Sequence, residues 1–318
     1  MELVLFRTIW IWKGDFIMKA TQEKEADLGN SSIGKLLFKL ALPAILAQII
    51  NVMYNMVDRM YIGHIADVGP SALTGVGVTM PLIMAISAFA ALVSMGGAPR
   101  ASIMMGKGDK ETAEKILGNC TTMLVLMAAV LTAVILLFGK PILLMFGASD
   151  NTIGYAWDYM SIYAMGTIFV QISLGLNAFI NAQGYARTGM LTVAIGAVCN
   201  IILDPILIFG FDMGVKGAAL ATILSQAVSF VWVLRFLTSG KSFLRIRKGY
   251  LKLSADIILP CIGLGVSPFI MQFTESIISV CFNTSLLKYG GDIAVGAMTI
   301  MTSVMQFSML PLQGLTQG

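Results

Sequence analysis

The chain has 318 residues, of which 57% are hydrophobic and only 12% are Asp, Glu, Lys or Arg, and its formal net charge is +4. Soluble domains carry about 25% charged residues. Half that content, set in long apolar runs, excludes a water-soluble domain and defines an all-α polytopic membrane protein. There is no basic block interleaved with aromatics, which excludes a nucleic-acid partner.

Residues 1–34 read as a cytoplasmic N-terminal segment. "MELVLFRTIWIW" is too short and too aromatic for a secretory signal, and no small-residue cleavage site follows it. Met18 is the expected start of translation, which would make residues 1–17 a start-site artefact. A span needs about 20 apolar residues. Seven full spans are predicted at 36–62, 72–96, 117–138, 155–180, 188–209, 214–237 and 257–282, and an eighth opens near 292. The short connectors, such as "HIADVGPS", "FGASDNTIG", "FDMGVKG" and "KYGGD", are marked by Gly, Pro, Asp and Asn.

Lys and Arg set the orientation. Lys19, Lys24 and Lys35 precede the first span. Arg100, Lys107, Lys110 and Lys115 fall in the 97–116 loop, Arg187 after the fourth span, and Lys241, Arg245, Arg247, Lys248 and Lys252 in the loop after the sixth. The opposite loops hold only Lys140, Lys216 and Lys288. The positive-inside rule puts the N-terminus in the cytoplasm. The basic linker 239–256 is expected to lie at the anionic inner membrane surface.

An internal repeat aligns Pro43 with Pro268 and Asp58 with Asn283, and with a three-residue gap "SALTGVGVTMPL" falls against "IAVGAMTIMTSV". An element that recurs after six spans implies two six-helix halves. The expected organisation is a first lobe of six helices at 35–238, the linker at 239–256, and helix seven with part of helix eight at 257–318. On that reading about four further helices are missing.

Few charged residues are predicted inside the spans: Asp58 near the outer end of the first, Asp204 deep in the fifth and Glu275 central in the seventh. Asp158, at the outer start of the fourth, is expected to be solvated. A carboxylate in a span costs about 2.5–3.5 kcal/mol on insertion scales, so it faces a cavity or a partner. Asn200 lies four residues before Asp204, on the same helix face. Pro205, lacking an N–H, frees the carbonyl of Ile201. A carboxylate, an amide oxygen and a loosened carbonyl are hard oxygen ligands that suit Na⁺ or shelter a titrating proton.

Tyr54 and Asp58 repeat this four-residue spacing in the first span, with Asn51 and Gln48 below them and Pro43 offering a bend. Asn177 and Asn181 repeat it in the fourth, with Gln171 below, and Thr222 sits in the sixth. Gln48, Asn51, Gln171, Asn181 and Gln272 are the expected lining of a substrate cavity. A structural hydrogen bond between helices remains the plain alternative for Asp58 and Asp204.

Other features read as packing. The small residues of "ALTGVGVT" and "GVKGAALA" suit close helix contact, and "GVG" follows no strand, as a nucleotide loop would. Cys120, Cys199, Cys261 and Cys281 show no CxxC spacing and read as small core residues. His64 alone is a poor metal site. No metal or cofactor is expected beyond a coupling H⁺ or Na⁺.

Taken in order, "LALPAILAQIINVMYNMVDRMYIGH", "GGAPRASIMMGKGDKETAEKI", "NAFINAQGYARTGM", "CNIILDPILIFGF", "GVKGAALATILSQ" and "SVMQFSMLPLQGLTQG" resemble the MATE family, the multidrug and toxic compound extrusion transporters. The resemblance runs from about Lys35 to the chain end. It implies twelve helices in two pseudo-symmetric lobes, exchanging organic cations and other amphiphiles for inward H⁺ or Na⁺. It implies a cation site of Asp58, Tyr54, Asn200, Asp204 and Thr222, a helix-bending role for Pro43, a contribution from Asn177, and a second-lobe cation role for Glu275. It also implies a monomer in a bacterial-type cytoplasmic membrane and no enzymatic activity.

Three rivals are set beside this reading. A lipid-linked oligosaccharide flippase of the same superfamily would line its cleft with Arg or Lys, and no buried basic residue is expected here. An intramembrane aspartyl protease would need Asp58 and Asp204 face to face in a GxGD context, which is absent. The third is a non-transporting truncated remnant.

Overall fold

The computed structural model describes residues 33–317 apart from Asp67, with side chains described for 42–305 apart from Asp67 and Ser303. The expectations for residues 1–32, including a start at Met18, lie outside the described residues. The elements are α1 (Ile33–Gly63), α2 (Gly69–Gly106), α3 (Lys110–Met145), α4 (Ile153–Met165), α5 (Thr167–Ala182), α6 (Ala186–Pro205), α7 (Gly214–Thr238) and α8 (Ala255–Gln317). The described residues contain no strand.

Five of these helices are long and apolar enough to cross a membrane, and the bent pair α4–α5 makes a sixth. In α3 only 22% of the apolar stretch is buried. The remainder is an apolar outer surface that requires lipid rather than water. Gln48, Asn51, Asn55, Asp58 and Arg59 make the second half of helix α1 more polar than the other spans. It remains helical on both sides of the buried Pro43.

Three boundaries differ from expectation. The predicted 97–116 loop shrinks to a turn at 107–109, because α2 continues through Pro99 to Gly106 and α3 begins at Lys110. Asp109 caps α3 by accepting from the Thr112 amide at 3.0 Å, and Gly108 supplies the left-handed turn with φ 79°. The predicted fourth span, 155–180, is broken at Gly166 and bent by 60°. A Cβ at Gly166 would run into Ile223 of α7, so the break sits packed against that helix. The seventh helix runs past its expected end at 282 and meets the eighth within "KYGGD" at Gly291, where φ is 66° and ψ −167°, beside the expected opening near 292.

Two apolar clusters stack through the first six spans. One gathers Ile62, Val76, Val78, Ile86, Tyr159, Met160 and Ile208. The other gathers Val93, Leu117, Leu124, Leu176, Phe179, Val233 and Leu237. Helix α8 lies along α2 and also touches α1. Small residues permit this approach: a Cβ at Gly96 would meet the Cys261 carbonyl, one at Gly265 the Leu92 carbonyl, and one at Gly77 the Thr299 side chain. The expectation of close packing in the second span therefore holds, and its partner is α8. In the sixth span, Gly217 packs on Leu207 and Ile208.

The basic linker does not simply lie on the membrane surface. Arg247 Nε pairs with Glu114 Oε2 at 2.6 Å, the Ser254 amide donates to Asn119 Oδ1 at 2.7 Å, and Thr122 Oγ1 donates to the Leu251 carbonyl at 2.6 Å. Gln183 Oε1 accepts from the Leu244 amide at 2.9 Å, and Leu244 is fully buried in the second cluster. The core reading of the cysteines holds for Cys120 and Cys261. Cys199 is half-buried and Cys281 exposed, so each is on or near a helix face open to lipid.

Candidate cation site

Four elements bring the central residues together in one half of the six-span group. Asp58 is one turn from the end of α1, Asp204 and Asn200 are in the last turns of α6, Thr222 is in the third turn of α7, and Tyr159 comes from α4. Asp204 is completely buried, Asn200 nearly so, and Asp58 is 6% exposed. Asn200 Nδ2 donates to Asp204 Oδ1 at 3.2 Å. The four-residue spacing thus does what a helix face requires.

The Asp58 and Asp204 carboxyls lie within hydrogen-bonding reach of each other. Two carboxylates offer only acceptors, so a bond between them needs a proton or a cation. Consistent with this, Asp58 Oδ1, Asp204 Oδ2 and Asn200 Oδ1 are buried with no hydrogen-bond partner among the described residues. Orphaned buried oxygens of this kind are rare and call for a ligand. Beyond Asp204 the helix widens into a π-turn, Ile206–Gly210, as expected where Pro205 interrupts the backbone ladder.

Tyr54 faces both Asp58 and Asp204 from one turn below. Thr222 donates to the Ala218 carbonyl at 3.0 Å and stands beside Tyr159. Tyr159 also faces Asp58 and stacks on Tyr163 with ring centroids 6.2 Å apart. Sequence reasoning passed over Tyr159, Tyr163 and Arg59. The two tyrosines carry the same four-residue signal as the residues that were found, in "DYMSIYAM". Arg59 stands beside Asp58 in the sequence and reaches outward to the Thr299 carbonyl at 3.2 Å.

Other expected members lie elsewhere. Asn177 Nδ2 donates to the Gly189 carbonyl at 3.3 Å. Gly189 is fifteen residues before Asp204 on α6, about 22 Å along the helix axis. Asn177 therefore does not join the acid pair in this conformation, although its own Oδ1 is buried and unpartnered. Asn181 is exposed at the end of α5, against Gly189. Gln171 is fully buried and clamps α5 to α2 by donating to the Ile86 carbonyl at 2.7 Å, although its Oε1 has no partner. Asn51 accepts from Asn55 through its carbonyl at 2.7 Å, and Gln48 and Gln272 are half-buried. Glu275 is exposed on α8, apart from the acid pair. Arg59 and Arg100 are half-buried, on different stretches of the fold, and no Arg or Lys is fully buried among the described residues.

These features define a polytopic helical membrane protein with an acidic site inside the membrane. The MatE family model matches residues 43–206, just over half of the sequence, and the chain belongs to that family. It is 26% identical over 289 residues to the multidrug export protein MepA of Staphylococcus haemolyticus, a match covering 91% of this chain and 63% of that protein. It is 25% identical over 290 residues to MepA of Staphylococcus saprophyticus, with the same coverage. It superposes on DinF-BH, a MATE multidrug transporter, with a TM-score of 0.87 at 32% identity, covering 93% of this chain and 66% of that one. A MOP superfamily transporter from Pyrococcus furiosus shares the fold, with a TM-score of 0.82 at 23% identity. The chain spans less than two thirds of the length of the curated relatives it matches.

Proposed function

We propose that this protein is a secondary antiporter that exports amphiphilic, often cationic, small molecules in exchange for inward H⁺ or Na⁺. The observation that carries this reading is the buried Asp58–Asp204 pair with three oxygens lacking partners, Asp58 Oδ1, Asp204 Oδ2 and Asn200 Oδ1. The names of its relatives, multidrug export proteins and a multidrug transporter, supply the substrate class.

In this reading residues 35–238 form the first lobe and 239–256 the linker, and residue 257 opens the second lobe. The N-terminus is cytoplasmic, the membrane is the bacterial cytoplasmic membrane, and the complete protein is a monomer. Tyr54, Asn200 and Thr222 surround the acids, Asn177 serves a lower polar layer, Pro43 lets α1 bend, and Glu275 serves the second lobe. Gln48, Asn51, Gln171, Asn181 and Gln272 supply polar groups towards the drug path. The protein catalyses no covalent chemistry. The two acids do face each other, as a protease dyad would, but neither stands in a GxGD context; the GxGD of the sequence, Gly106–Asp109, is the turn between α2 and α3.

Neutralising the acids by a cation from outside removes the cost of burying two like charges and shifts the lobes away from the drug-holding state. Each inward monovalent charge supplies about 2.3 kcal/mol per 100 mV. Direct contact between the two carboxyls favours the proton, since one proton satisfies both. The test is ethidium efflux from cells with the proton and sodium gradients collapsed separately, in the natural protein and in Asp204→Asn. Loss of driven efflux in Asp204→Asn, with membrane insertion intact, is the expected result. Full efflux in that variant overturns the reading.

A further inference from the structure

Residues 247–254 of the linker run down the flank of α3. Arg247 Nε meets Glu114 Oε2 at 2.6 Å, Asn119 Nδ2 donates to the Tyr250 carbonyl at 3.4 Å, and Thr122 Oγ1 donates to the Leu251 carbonyl at 2.6 Å. The Ser254 amide closes the run by donating to Asn119 Oδ1 at 2.7 Å. Gly118 makes room for it, since a Cβ there would strike the Tyr250 carbonyl. From Glu114 to Thr122 the helix advances about 12 Å.

That advance fixes the depth of the segment. Residues 116–139 of α3 carry no charge, and Lys115 and Lys140 bound them. A helix of that length covers about 36 Å, enough to cross the hydrocarbon core of a bilayer. Lys115 therefore stands at the headgroup boundary, with its Nζ 5.8 Å from the centre of the Tyr250 ring. Leu251, bonded to Thr122, is level with the first turns of the hydrocarbon. In the orientation proposed above, this is the cytoplasmic leaflet.

The outward side chains suit such a depth. Leu253 is 39% exposed and Leu259, on α8, is 63% exposed, so apolar surface faces the acyl chains. Tyr250, half-buried, is an aromatic of the kind enriched at the membrane interface. Lys248 and Lys252 are exposed on either side of it. Among the described residues neither ammonium has an ion pair or a hydrogen bond. The neighbouring acids are engaged, Glu114 by Arg247 and Glu111 by Lys115 at 2.8 Å. The last carboxylate of the stretch, Asp256, is exposed in the first turn of α8. A lysine at this depth lays its stem on apolar surface and needs its head in water or against an anion.

We propose that Lys248 and Lys252, flanking Tyr250, form a headgroup site for an anionic phospholipid of the inner leaflet. The phosphate oxygens accept from the two ammoniums, and the acyl chains lie along Leu253 and Leu259. The site is on the connector that leads into α8, so a bound lipid adds to the contacts that hold this entry against α3. Its leaflet rests on the orientation given under the proposed function; its chemistry does not.

The experiment uses the full chain in a neutral detergent, with phosphatidylglycerol carrying a fluorescent acyl chain as the probe and phosphatidylcholine with the same label as the comparison. Phosphatidylglycerol is expected to bind about 30-fold more tightly, about fivefold for each lysine. Lys248→Gln with Lys252→Gln is expected to erase that preference. Lys140→Gln with Lys288→Gln removes the same charge elsewhere and is expected to leave it intact. A preference that survives the first pair, or falls equally in the second, overturns the proposal. Where the first pair does not fold, Lys252→Gln alone reads the same way at about fivefold. Lys248→Arg with Lys252→Arg keeps both charges and is expected to keep the preference; its loss overturns the site. Inorganic phosphate in excess is expected to leave the lipid bound, and full displacement would make this a site for a free anion instead. The leaflet is tested separately with Gly249→Cys, where a Cβ meets nothing within 4 Å, in a chain whose natural cysteines are replaced. It is expected to escape a membrane-impermeant maleimide in intact cells and to react in inverted vesicles. Reaction in intact cells overturns the inner-leaflet placement together with the proposed orientation. Equal binding of the two lipids, with Gly249→Cys protected, overturns the lipid site alone.

Discussion

Asn200 holds Asp204 from one turn away on the same helix, its amide donating to Oδ1 at 3.2 Å, while Asn200 Oδ1 and Asp204 Oδ2 remain buried without partners. The donor therefore fixes the direction of the carboxylate and leaves two oxygens for a ligand. Asn200→Ala removes the donor and one of those oxygens, and a hydrogen bond to a charged group is worth about 1.5–3 kcal/mol. The apparent affinity for the coupling ion is expected to fall about 10- to 100-fold, read as the ion concentration for half-maximal efflux. Asn200→Asp keeps an oxygen but adds a third acid, and is expected to shift ion dependence rather than restore it. An unchanged ion dependence in Asn200→Ala would remove Asn200 from the site.

The α2–α8 contact predicts a steric phenotype. A Cβ on Gly96 would run into the Cys261 carbonyl, which is backbone and cannot swing aside as a side chain end can. Gly96→Ala is expected to destabilise the contact by about 1–3 kcal/mol, the usual cost of overpacking. Gly106→Ala is the control, because a Cβ there meets nothing within 4 Å. The measurement is thermal unfolding of both variants in detergent. Equal midpoints would show that α8 moves away at no cost.

Much of this was legible in the chain, for identifiable reasons. Apolar run length gave the spans because a bilayer demands it, and four-residue spacing gave Tyr54–Asp58 and Asn200–Asp204 because a helix returns to the same face. The same spacing misled at Asn177, which was expected beside the acids. It says which residues share a face but not at what depth, and depth depends on where the α5–α6 turn falls. Run length also could not see that Gly166 breaks a span, since the reason is Ile223 on another helix. Arg59 was passed over beside Asp58. That its side chain crosses to Thr299 depends on α8, more than two hundred residues later in the sequence.

The two buried cysteines offer a probe of the α2–α8 neighbourhood at its other end. Cys120 of α3 and Cys261 of α8 are within hydrogen-bonding reach through their thiols, the Cys120 thiol beside Gly97 and the Cys261 carbonyl beside Gly96. Oxidation by diamide converts two thiols to a disulfide and the diazene to a hydrazine. In membranes this is expected to remove two alkylatable thiols, and Cys120→Ala is expected to block the loss. The disulfide ties α8 to α3 and is expected to stop any driven efflux until dithiothreitol restores it. Retained efflux with both thiols lost would show that this end of the contact need not move.

The cap on α3 gives a pH prediction outside the membrane. Asp109 accepts from Thr112, whose hydroxyl first and whose amide, at 3.0 Å, hold its carboxyl below the usual carboxylate range. A depressed folded value stabilises the helix end above the unfolded value of about 3.9, and the benefit disappears as pH falls through the folded value. Asp109→Ala is therefore expected to lower the unfolding midpoint at pH 7, with the gap to the natural protein closing towards pH 3. A gap independent of pH would assign the cap to packing rather than charge.

The linker carries the last prediction. Glu114 is 2% exposed in its side chain, and Arg247 meets it at 2.6 Å while remaining 56% exposed itself. The carboxylate is buried because Arg247 covers it, and the same segment is pinned by Asn119, Thr122 and Gln183. Removing one member of a buried pair strands the other; with Arg247 half in water, the cost falls below that of a fully buried pair, to about 1–3 kcal/mol. Arg247→Ala should therefore release the segment, speeding trypsin cleavage at Lys248 and Lys252 several-fold and lowering the unfolding midpoint. Glu114→Gln added to Arg247→Ala removes the stranded charge and should recover most of the midpoint. The cleavage rate should stay high, because the ionic tether is still missing. If the double variant recovers neither, the pair is not what holds the linker, and the amide contacts of Asn119 and Gln183 carry it instead. If it recovers both, the burial of Glu114 alone was the fault. Only the split result, stability regained with the linker still loose, identifies Arg247 as a strap across α3 that can open without unfolding the helices beneath it.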